Sequence, residues 1–223
     1  MSAGPCPFSD RISSTDDAVM EYENVFRLVM ILGFGVVFPV GLYHRIKAQA
    51  SGEKLNRRAE GMFILLTLRP IALIRLLGVL AWLVNPPWMR WSSMPLPMGI
   101  RWCGVGVGVS AAVFLIIVLN TLGPNITDTV VTRERHTLVT VGPYRWVRHP
   151  FYVATALALV ADSLVTANWF LAGTGLLTIV LLLIRTGIEE EKLVARFGQQ
   201  YTEYARHTGR FIPRLTRSDG PRR

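Results

Sequence analysis

The sequence predicts an all-α integral membrane protein with about five transmembrane helices, the last two of which form a hairpin. Two observations support this class. Of the 223 residues, 51% are hydrophobic and only 17% are charged, and the mean hydropathy is +0.35. This balance is more apolar than that of an ordinary soluble domain. The apolar residues also fall into long runs, and a helix needs about 20 such residues to cross the hydrocarbon core.

The five predicted spans are residues 25–43, 62–84, 102–122, 151–165 and 169–184. Backbone groups in lipid must be satisfied internally, so helices are the natural structure for runs of this length. The last two spans are shorter and are separated only by Thr166, Ala167 and Asn168, which predicts a tight helical hairpin. The polar and acidic residues before the first span lack the basic start of a signal peptide, so we expect that span to stay in the mature protein.

Positive charge predicts the orientation of the spans. Lys and Arg side chains concentrate between spans one and two, between spans three and four, and after span five, whereas the alternate segments carry Arg11, Arg90 and Arg101. Because Lys and Arg are enriched in cytoplasmic loops, we expect the N-terminus outside and the C-terminus in the cytoplasm. The formal charge of +9 thus reflects cytoplasmic loops. No nucleic-acid-binding signature accompanies this charge, so nucleic acid is not an expected partner.

Two arginines, Arg69 and Arg75, fall inside the second predicted span. Charged side chains at that depth are costly, and they usually face the interior of a helix bundle or a polar cavity. The alternative is that the helix is tilted or offset, so that one arginine extends to the membrane interface. Both alternatives stay open from the sequence alone.

Glycines in the third span resemble a nucleotide-binding pattern in the wrong context. Gly106, Gly108 and Ala111 match G-x-G-x-x-A, but that fingerprint needs a preceding strand and a helix N-terminus at the phosphate. Here the glycines lie inside an apolar span. We instead expect Gly104 and Gly108 to let another helix pack closely, because small residues four apart have this role in membranes.

The densest polar and aromatic cluster lies directly before the fourth span, where GPYRWVRHPFY runs from Gly142 to Tyr152. A second cluster follows span five, where Arg185 and Glu189 are four residues apart and therefore on one helical face. We expect this charged helix to stop or bend at Gly198. An interfacial anchor with a surface ion pair would explain the aromatics and charges. An interfacial anchor alone gives no reason for two prolines, a glycine and a histidine to lie among the aromatic residues of this stretch.

These residues together resemble a known family. The order is H-T-L-V-T-x-G-P-Y-R-x-V-R-H-P-x-Y at 136–152, a short membrane hairpin, R-x-x-x-E-E at 185–190, F-G-x-x-Y-x-x-Y at 197–204 and F-I-P at 211–213. This order is similar to that of the isoprenylcysteine carboxyl methyltransferase family. The resemblance covers about residues 123–213 and depends on the joint spacing of the pieces. The N-terminal half carries little of it.

The resemblance implies an integral membrane methyltransferase that uses S-adenosylmethionine, held beneath the cytoplasmic ends of the last helices, with a lipid-facing entrance for the acceptor. The family's cofactor-binding positions fall on His136, Thr137, Leu138, Val139, Tyr144, His149, Pro150, Phe151, Tyr152 and Glu189. Its acceptor-side arginine falls on Arg185, the expected catalytic residue, and no metal is expected. One departure is Ala154, where relatives usually have glycine.

The residue types suit this chemistry. Methyl transfer from a sulfonium mainly needs positioning of the reactants and exclusion of water. The rings of Tyr144 and Tyr152 can attract the sulfonium, and Glu189 can accept hydrogen bonds from cofactor hydroxyl or amino groups. Arg185 is a poor base but pairs well with an anion. We therefore expect a carboxylate or thiol acceptor that is lipid-like or small; a carboxylate is already ionised near neutral pH.

Two other functions fit parts of the sequence. An NADPH-dependent membrane reductase of sterols or other lipids would share a comparable C-terminal architecture, but a 2′-phosphate calls for clustered basic side chains. A non-catalytic membrane scaffold or transport component would bind neither cofactor. We divide the chain into three spans at 1–122, a methyltransferase-like region at 123–217 and a basic tail at 218–223. The acceptor, the cellular membrane and the oligomeric state stay open.

Overall fold

The computed structural model describes residues 7–49, 64–122 and 138–214. These ranges form helices and connecting turns and contain no β-strand, which confirms the predicted all-α class. The six α-helices are α1 (Pro7–Gln49), α2 (Arg69–Val84), α3 (Met98–Leu122), α4 (Pro150–Thr166), α5 (Trp169–Phe197) and α6 (Gln199–His207). A π-helical turn, Ile64–Leu68, leads into α2, and 3₁₀ turns occupy Pro86–Ser92 and Gly142–Arg145.

Four helical segments of the described residues are long and apolar enough to cross a membrane, and they are Tyr22–Lys47, Leu66–Val84, Met98–Leu122 and Trp169–Phe197. Helix α4 is a shorter apolar helix of 17 residues, near the lower limit of about 17 for a span. These segments match the five predicted spans and confirm a multi-pass membrane protein. The helix of the first span begins earlier than predicted because polar residues can continue a helix beyond the hydrocarbon. The orientation stays a prediction.

The predicted hairpin joins α4 to α5. Ala167 ends α4 in the left-handed conformation, with φ at 46°. The side-chain oxygen of Asn168 then accepts a hydrogen bond from Leu171 N at 3.1 Å, and its Nδ2 donates to Ser92 Oγ at 2.7 Å. We call this side of the bundle the hairpin end. The polar end is the opposite side, where α4 begins and the charged part of α5 lies.

Small residues bring α3 and α4 into close contact, as predicted for Gly104 and Gly108. A Cβ on Gly104 would lie 2.8 Å from the Cβ of Leu164 and 3.2 Å from the carbonyl oxygen of Ala161. A Cβ on Gly108 would lie 3.4 Å from the Cβ of Ala161, whereas Gly106 faces open space. The glycine pair is therefore engaged within the chain, against α4.

Arg75 faces the bundle interior, which decides between the two alternatives for this residue. Its side chain is 7% exposed, and its guanidinium pairs with Asp162 of α4 and donates to the carbonyl of Leu171 in α5. Gly175 makes room for it, because a Cβ there would lie 2.8 Å from a guanidinium nitrogen. Arg69, in contrast, is exposed at the start of α2.

Arg101 was expected in the connection before the third span, and this expectation is wrong. The residue lies in the first turn of α3, where it is 6% exposed. Its guanidinium pairs with both carboxylate oxygens of Glu23 in α1, its Nε donates to the carbonyl of Val165 at 3.0 Å, and it lies 4.1 Å from the ring centre of Phe26. A carboxylate partner therefore allows the helix to begin before the apolar run. The cluster joins α1, α3 and α4 at the hairpin end.

Helix α5 continues beyond the apolar run and ends at Phe197, and Gly198 follows with φ at 55°. This break is at the predicted glycine. After α6, residues 208–211 pair with the backbone that precedes α4: the N–H of Arg148 donates to the Gly209 carbonyl at 2.8 Å, and that of His149 donates to the Arg210 carbonyl at 3.1 Å. We call residues 208–211 the strap.

Candidate active site

Four parts of the chain converge at the polar end, namely residues 138–149, the first turn of α4, residues 185–190 of α5 and the strap. Pro150 is the first residue of α4 and is fully buried. Proline is favoured at this position because its missing N–H has no helical partner in any case and its φ is already helical. The fixed entry into α4 places His149 and Tyr152 beside the charged residues of α5.

Glu189 links α5 to α4. Its Oε1 accepts one hydrogen bond from the hydroxyl of Tyr152 and another from Nε of Arg185, at 2.8 Å. The contact with Arg185 is the predicted pairing across one helical turn. The other oxygen, Oε2, lies 3.8 Å from Nδ1 of His149. The side chains of Arg185 and Glu189 are 12% and 18% exposed, so water screens this pair less than it screens a surface pair.

The next residue, Glu190, contacts three basic side chains. Its Oε1 accepts a hydrogen bond from Nε of Arg148 at 2.9 Å and lies 3.2 Å from Nε2 of His149. Its Oε2 accepts a hydrogen bond from Arg210. Arg148 and His149 precede α4 and Arg210 belongs to the strap, so Glu190 ties both segments to α5.

The strap is fixed mainly by Arg148, whose Nη1 donates to the carbonyls of Ala205 and Thr208. A side chain at Gly209 would collide with the backbone carbonyl three residues later, so the strap requires glycine there. The strap ends with Phe211, whose ring centre lies 5.8 Å from that of His149. The strap therefore covers one side of the histidine.

Tyrosine side chains complete the cluster. The rings of His149 and Tyr152 are parallel within 2°, with centres 5.6 Å apart. Tyr144 is buried, and its carbonyl accepts a hydrogen bond from the hydroxyl of Tyr204 at 2.6 Å. Burial raises the pKa of the Tyr144 hydroxyl, and the neighbouring Tyr204 and Glu189 raise it further. Burial also raises the pKa of Tyr204, to about 12. Both hydroxyls are neutral near pH 7 and cannot act there as phenolate bases.

An apolar groove of about 300 Å³ begins beside this cluster, between α4 and α5. It is lined by Tyr152, Val153, Ala156, Leu157, Val160, Ile179, Leu182, Leu183 and Phe211. Tyr152 and Phe211 mark the end next to the polar cluster, because they contact Glu189 and His149. From Tyr152 to Val160, α4 advances by about 12 Å at about 1.5 Å per residue. The groove thus runs from the polar end into the membrane-spanning part of the bundle.

The structure places most of the predicted site residues at this end. Direct contacts or one shared partner connect His149, Tyr152, Arg185 and Glu189. The negative charge of Glu189 also helps to raise the pKa of Tyr144. The remaining described ones are Pro150 and Phe151 in the first turn of α4, and Leu138 and Val139, which are half-buried before it. His136 and Thr137 lie outside the described residues, as does the basic tail at 218–223. Ala154, the departure from the family pattern, is fully buried in α4.

Three members of the cluster, Arg148, Glu190 and Arg210, are not among the predicted site residues. The motifs R-H-P and E-E contain the first two, so the doublet of glutamates was a signal that both carboxylates have partners. Arg210 carries no comparable signal, because its contact with Glu190 depends on how the chain returns after α6.

Residues 104–195 match the model of the isoprenylcysteine carboxyl methyltransferase family. The match covers less than half of the 223 residues and leaves the first 103 residues outside it. The matched range includes α4, most of α3 and α5, and both glutamates of the cluster. The predicted resemblance is thereby confirmed for the motifs at 136–152 and 185–190, which lie inside the matched range.

The chain spans less than two fifths of the length of the two relatives described next. The cobalt-zinc-cadmium resistance protein CzcN of Cupriavidus metallidurans is 36% identical over 86 residues, which are 38% of this chain and 39% of that protein. Methanethiol S-methyltransferase of Pseudomonas deceptionensis is 34% identical over 77 residues, which are 34% of this chain and 29% of that protein. A solved structure of the eukaryotic intramembrane Ras methyltransferase, an isoprenylcysteine carboxyl methyltransferase, is 22% identical, with 82% of this chain and 67% of that chain covered and a TM-score of 0.49.

Proposed function

We propose that this protein is an integral membrane methyltransferase that transfers a methyl group from S-adenosylmethionine to an amphiphilic carboxylate or thiol. One observation carries the proposal: Tyr152 lines the apolar groove and also donates a hydrogen bond to Glu189, which pairs with Arg185. A polar site and an apolar site thus share one wall. The match of residues 104–195 to the model of a methyltransferase family supports the same assignment.

The residues at the polar end fit S-adenosylmethionine. Glu189 uses Oε1 for its two donors, so Oε2 can accept hydrogen bonds from amino or hydroxyl groups, and the ring nitrogens of His149 add a second polar contact. The rings of Tyr144 and Tyr152 suit a sulfonium, since cation–π attraction contributes about 0.5–2 kcal/mol. When bound, the cofactor would supply an electrophilic methyl group on a positively charged sulfur.

Arg185 would orient the acceptor. Its Nε is held by Glu189, so the terminal amino groups of the guanidinium are the part that can pair with an anion. The tyrosines Tyr144 and Tyr204 are neutral near pH 7, as their raised pKa values require. An acceptor that is already ionised therefore suits this site best. A carboxylate meets this condition outright, and a thiol meets it when the arginine stabilises the thiolate.

The groove favours an acceptor with an apolar tail. Its volume of about 300 Å³ and its Val, Leu, Ile and Ala walls suit a hydrocarbon chain, and burial of each methylene contributes about 0.8 kcal/mol. Because the groove starts at Tyr152, a tail lying in it would place its polar head beside Glu189 and Arg185. The same arrangement excludes water from one side of the reacting groups, which methyl transfer requires.

The pairing of the arginines argues against an NADPH-dependent reductase. A 2′-phosphate needs basic side chains that can turn toward it. Here Arg148 and Arg210 both bind Glu190, so these two side chains are not available to a phosphate. A non-catalytic scaffold, in turn, gives no reason for a shielded charge cluster to adjoin an apolar groove.

Methyl transfer to a panel of carboxylates and thiols with short and long apolar tails tests the proposal, with S-adenosylmethionine labelled in its methyl group. We expect Arg185→Ala to lower turnover by about tenfold or more, equivalent to about 1.4 kcal/mol in the transition state. Cofactor affinity, measured by calorimetry, should fall by less than turnover does, because Tyr152 still donates to Oε1 of Glu189. Failure of the wild-type protein to label any acceptor would reject the proposal, and unchanged turnover of Arg185→Ala would reject the role of Arg185.

A second pair of variants tests whether the groove binds the acceptor. Ala156→Phe adds a ring to the groove wall, whereas Leu176→Phe adds one to an exposed face of α5 outside the groove. We expect Ala156→Phe to raise KM for long-tailed acceptors and leave short ones unaffected, because only the long tail needs the groove. Leu176→Phe should behave as wild type. Equal KM values for both variants would remove the groove from the acceptor site.

A further inference from the structure

Glu190 has no part in the function proposed above, yet three charged or titratable side chains from outside α5 contact it. Its side chain is 17% exposed. The partner that bears on the site is His149, which is 8% exposed and lies between the two carboxylates: Nε2 is 3.2 Å from Glu190, whereas Nδ1 is 3.8 Å from Oε2 of Glu189. The first distance is that of a hydrogen bond, and the second is too long for one.

The ring of His149 is held in one orientation. Tyr152 stacks on it with the ring planes 2° apart, and the ring of Phe211 packs at 5.8 Å. The imidazole does not cap α4, even though His149 is the residue before the first helical turn. Nδ1 is therefore not used by the helix. It faces the Oε2 atom of Glu189, at the site described above.

Guanidinium groups pair with both carboxylates beside His149. Glu189 and Glu190 contribute two negative charges, and Arg148, Arg185 and Arg210, which pair with them, contribute three positive charges. A neutral imidazole carries one N–H, and the carboxylate at hydrogen-bond distance decides which nitrogen bears it.

We infer that Glu190 is a positioning residue that holds His149 as its Nε2–H tautomer, so that the Nδ1 lone pair and Oε2 of Glu189 form one acceptor pair. Two acceptors 3.8 Å apart cannot bond to each other, and a donor group between them satisfies both. The pair thus selects ligands that present an N–H or O–H group, such as an ammonium or a ribose hydroxyl. The tautomer is a property of the ligand-free protein, and only its effect on cofactor affinity rests on the proposed function.

Nitrogen NMR of the ligand-free, full-length protein in detergent tests the tautomer. Labelling all four histidines with ¹⁵N and comparing the spectrum with that of His149→Gln assigns the His149 signals. Near neutral pH we expect a protonated Nε2 and an unprotonated Nδ1. In Glu190→Gln the charged acceptor is lost, so the two tautomers should mix; Glu191→Gln, at an exposed neighbouring position, should leave the spectrum unchanged. A protonated Nδ1 in the wild-type protein would overturn the inference.

Cofactor binding separates positioning from a purely structural role. We expect Glu190→Gln to lower the affinity for S-adenosylmethionine about tenfold, as measured by calorimetry. Glu190→Asp should recover part of that affinity, and Glu191→Gln should match the wild type. If Glu190→Gln lowers the melting temperature but keeps the wild-type His149 spectrum and affinity, Glu190 is only a tie between segments and the inference fails. If the wild-type protein binds no S-adenosylmethionine, the proposed function fails, and the NMR result still decides the role of Glu190.

Discussion

Tyr152 combines two functions in one side chain, because its ring and its hydroxyl have different neighbours. The ring stacks on His149 and lines the groove, while the hydroxyl donates to Glu189. The carboxylate of Glu189 is 18% exposed and would otherwise depend on Arg185 for its Oε1 contact. Hydrogen bonds to charged groups contribute about 1.5–3 kcal/mol, so the hydroxyl is a substantial part of what holds Glu189 in place.

Tyr152→Phe isolates this contribution, because it removes the hydroxyl and keeps the ring. We expect the free energy of unfolding to fall by about 1.5 kcal/mol or more, measured by denaturant titration in detergent, and cofactor affinity to weaken as Glu189 loses a donor. The control is Tyr43→Phe, at a tyrosine that is 60% exposed on α1, which should leave both quantities unchanged. Equal stability and affinity for the two variants would mean that the hydroxyl does not hold Glu189.

Gly104 brings helices α3 and α4 into close contact. In lipid the hydrophobic effect gives little drive for two helices to associate, so close van der Waals contact is what stabilises them. Gly104 permits this contact because its Cα approaches Leu164 and the carbonyl of Ala161. Since α4 carries Tyr152 near its start, the glycine contact also helps to place the site.

Alanine substitutions at Gly104 and Gly106 should change stability in opposite directions. Alanine favours a helix over glycine by about 1 kcal/mol, and at Gly106 nothing lies within 4 Å of the added methyl, so stability should rise slightly. At Gly104 the methyl would lie 2.8 Å from Leu164, and overpacking of this kind costs about 1–3 kcal/mol. Melting temperatures of the two variants decide the matter. A rise at both positions would show that α3 and α4 are not in close contact.

At the scale of the whole molecule, hydropathy was enough to predict the helices and the hairpin, because the bilayer sets the length of a span. Local spacing was enough for the Arg185–Glu189 pair and for the break at Gly198. Contacts between distant segments were not predictable in this way. Asp162, the partner of Arg75, is hidden in an apolar run, and Arg210 reaches Glu190 only because the strap returns to α4.

The side of the membrane on which the polar end lies stays a prediction from the distribution of Lys and Arg. We expect the polar end in the cytoplasm and the hairpin end outside. After replacement of the native cysteines, a membrane-impermeant thiol reagent added to intact cells should label Ser93→Cys, in the exposed connection at the hairpin end, and not Glu203→Cys on α6. The reverse pattern would invert the predicted orientation.

The central claim is that residues before α4 and residues of α5 form one S-adenosylmethionine site at the polar end. Calorimetric titration of the purified full-length protein with S-adenosylmethionine tests it most directly, with Tyr144→Ala/His149→Ala as the variant and the exposed Glu203→Gln as the control. We predict one cofactor bound per wild-type or control chain and an affinity at least about tenfold weaker, about 1.4 kcal/mol, for the folded double variant. Equal affinity in the double variant, or no binding to the wild-type protein, would contradict the claim.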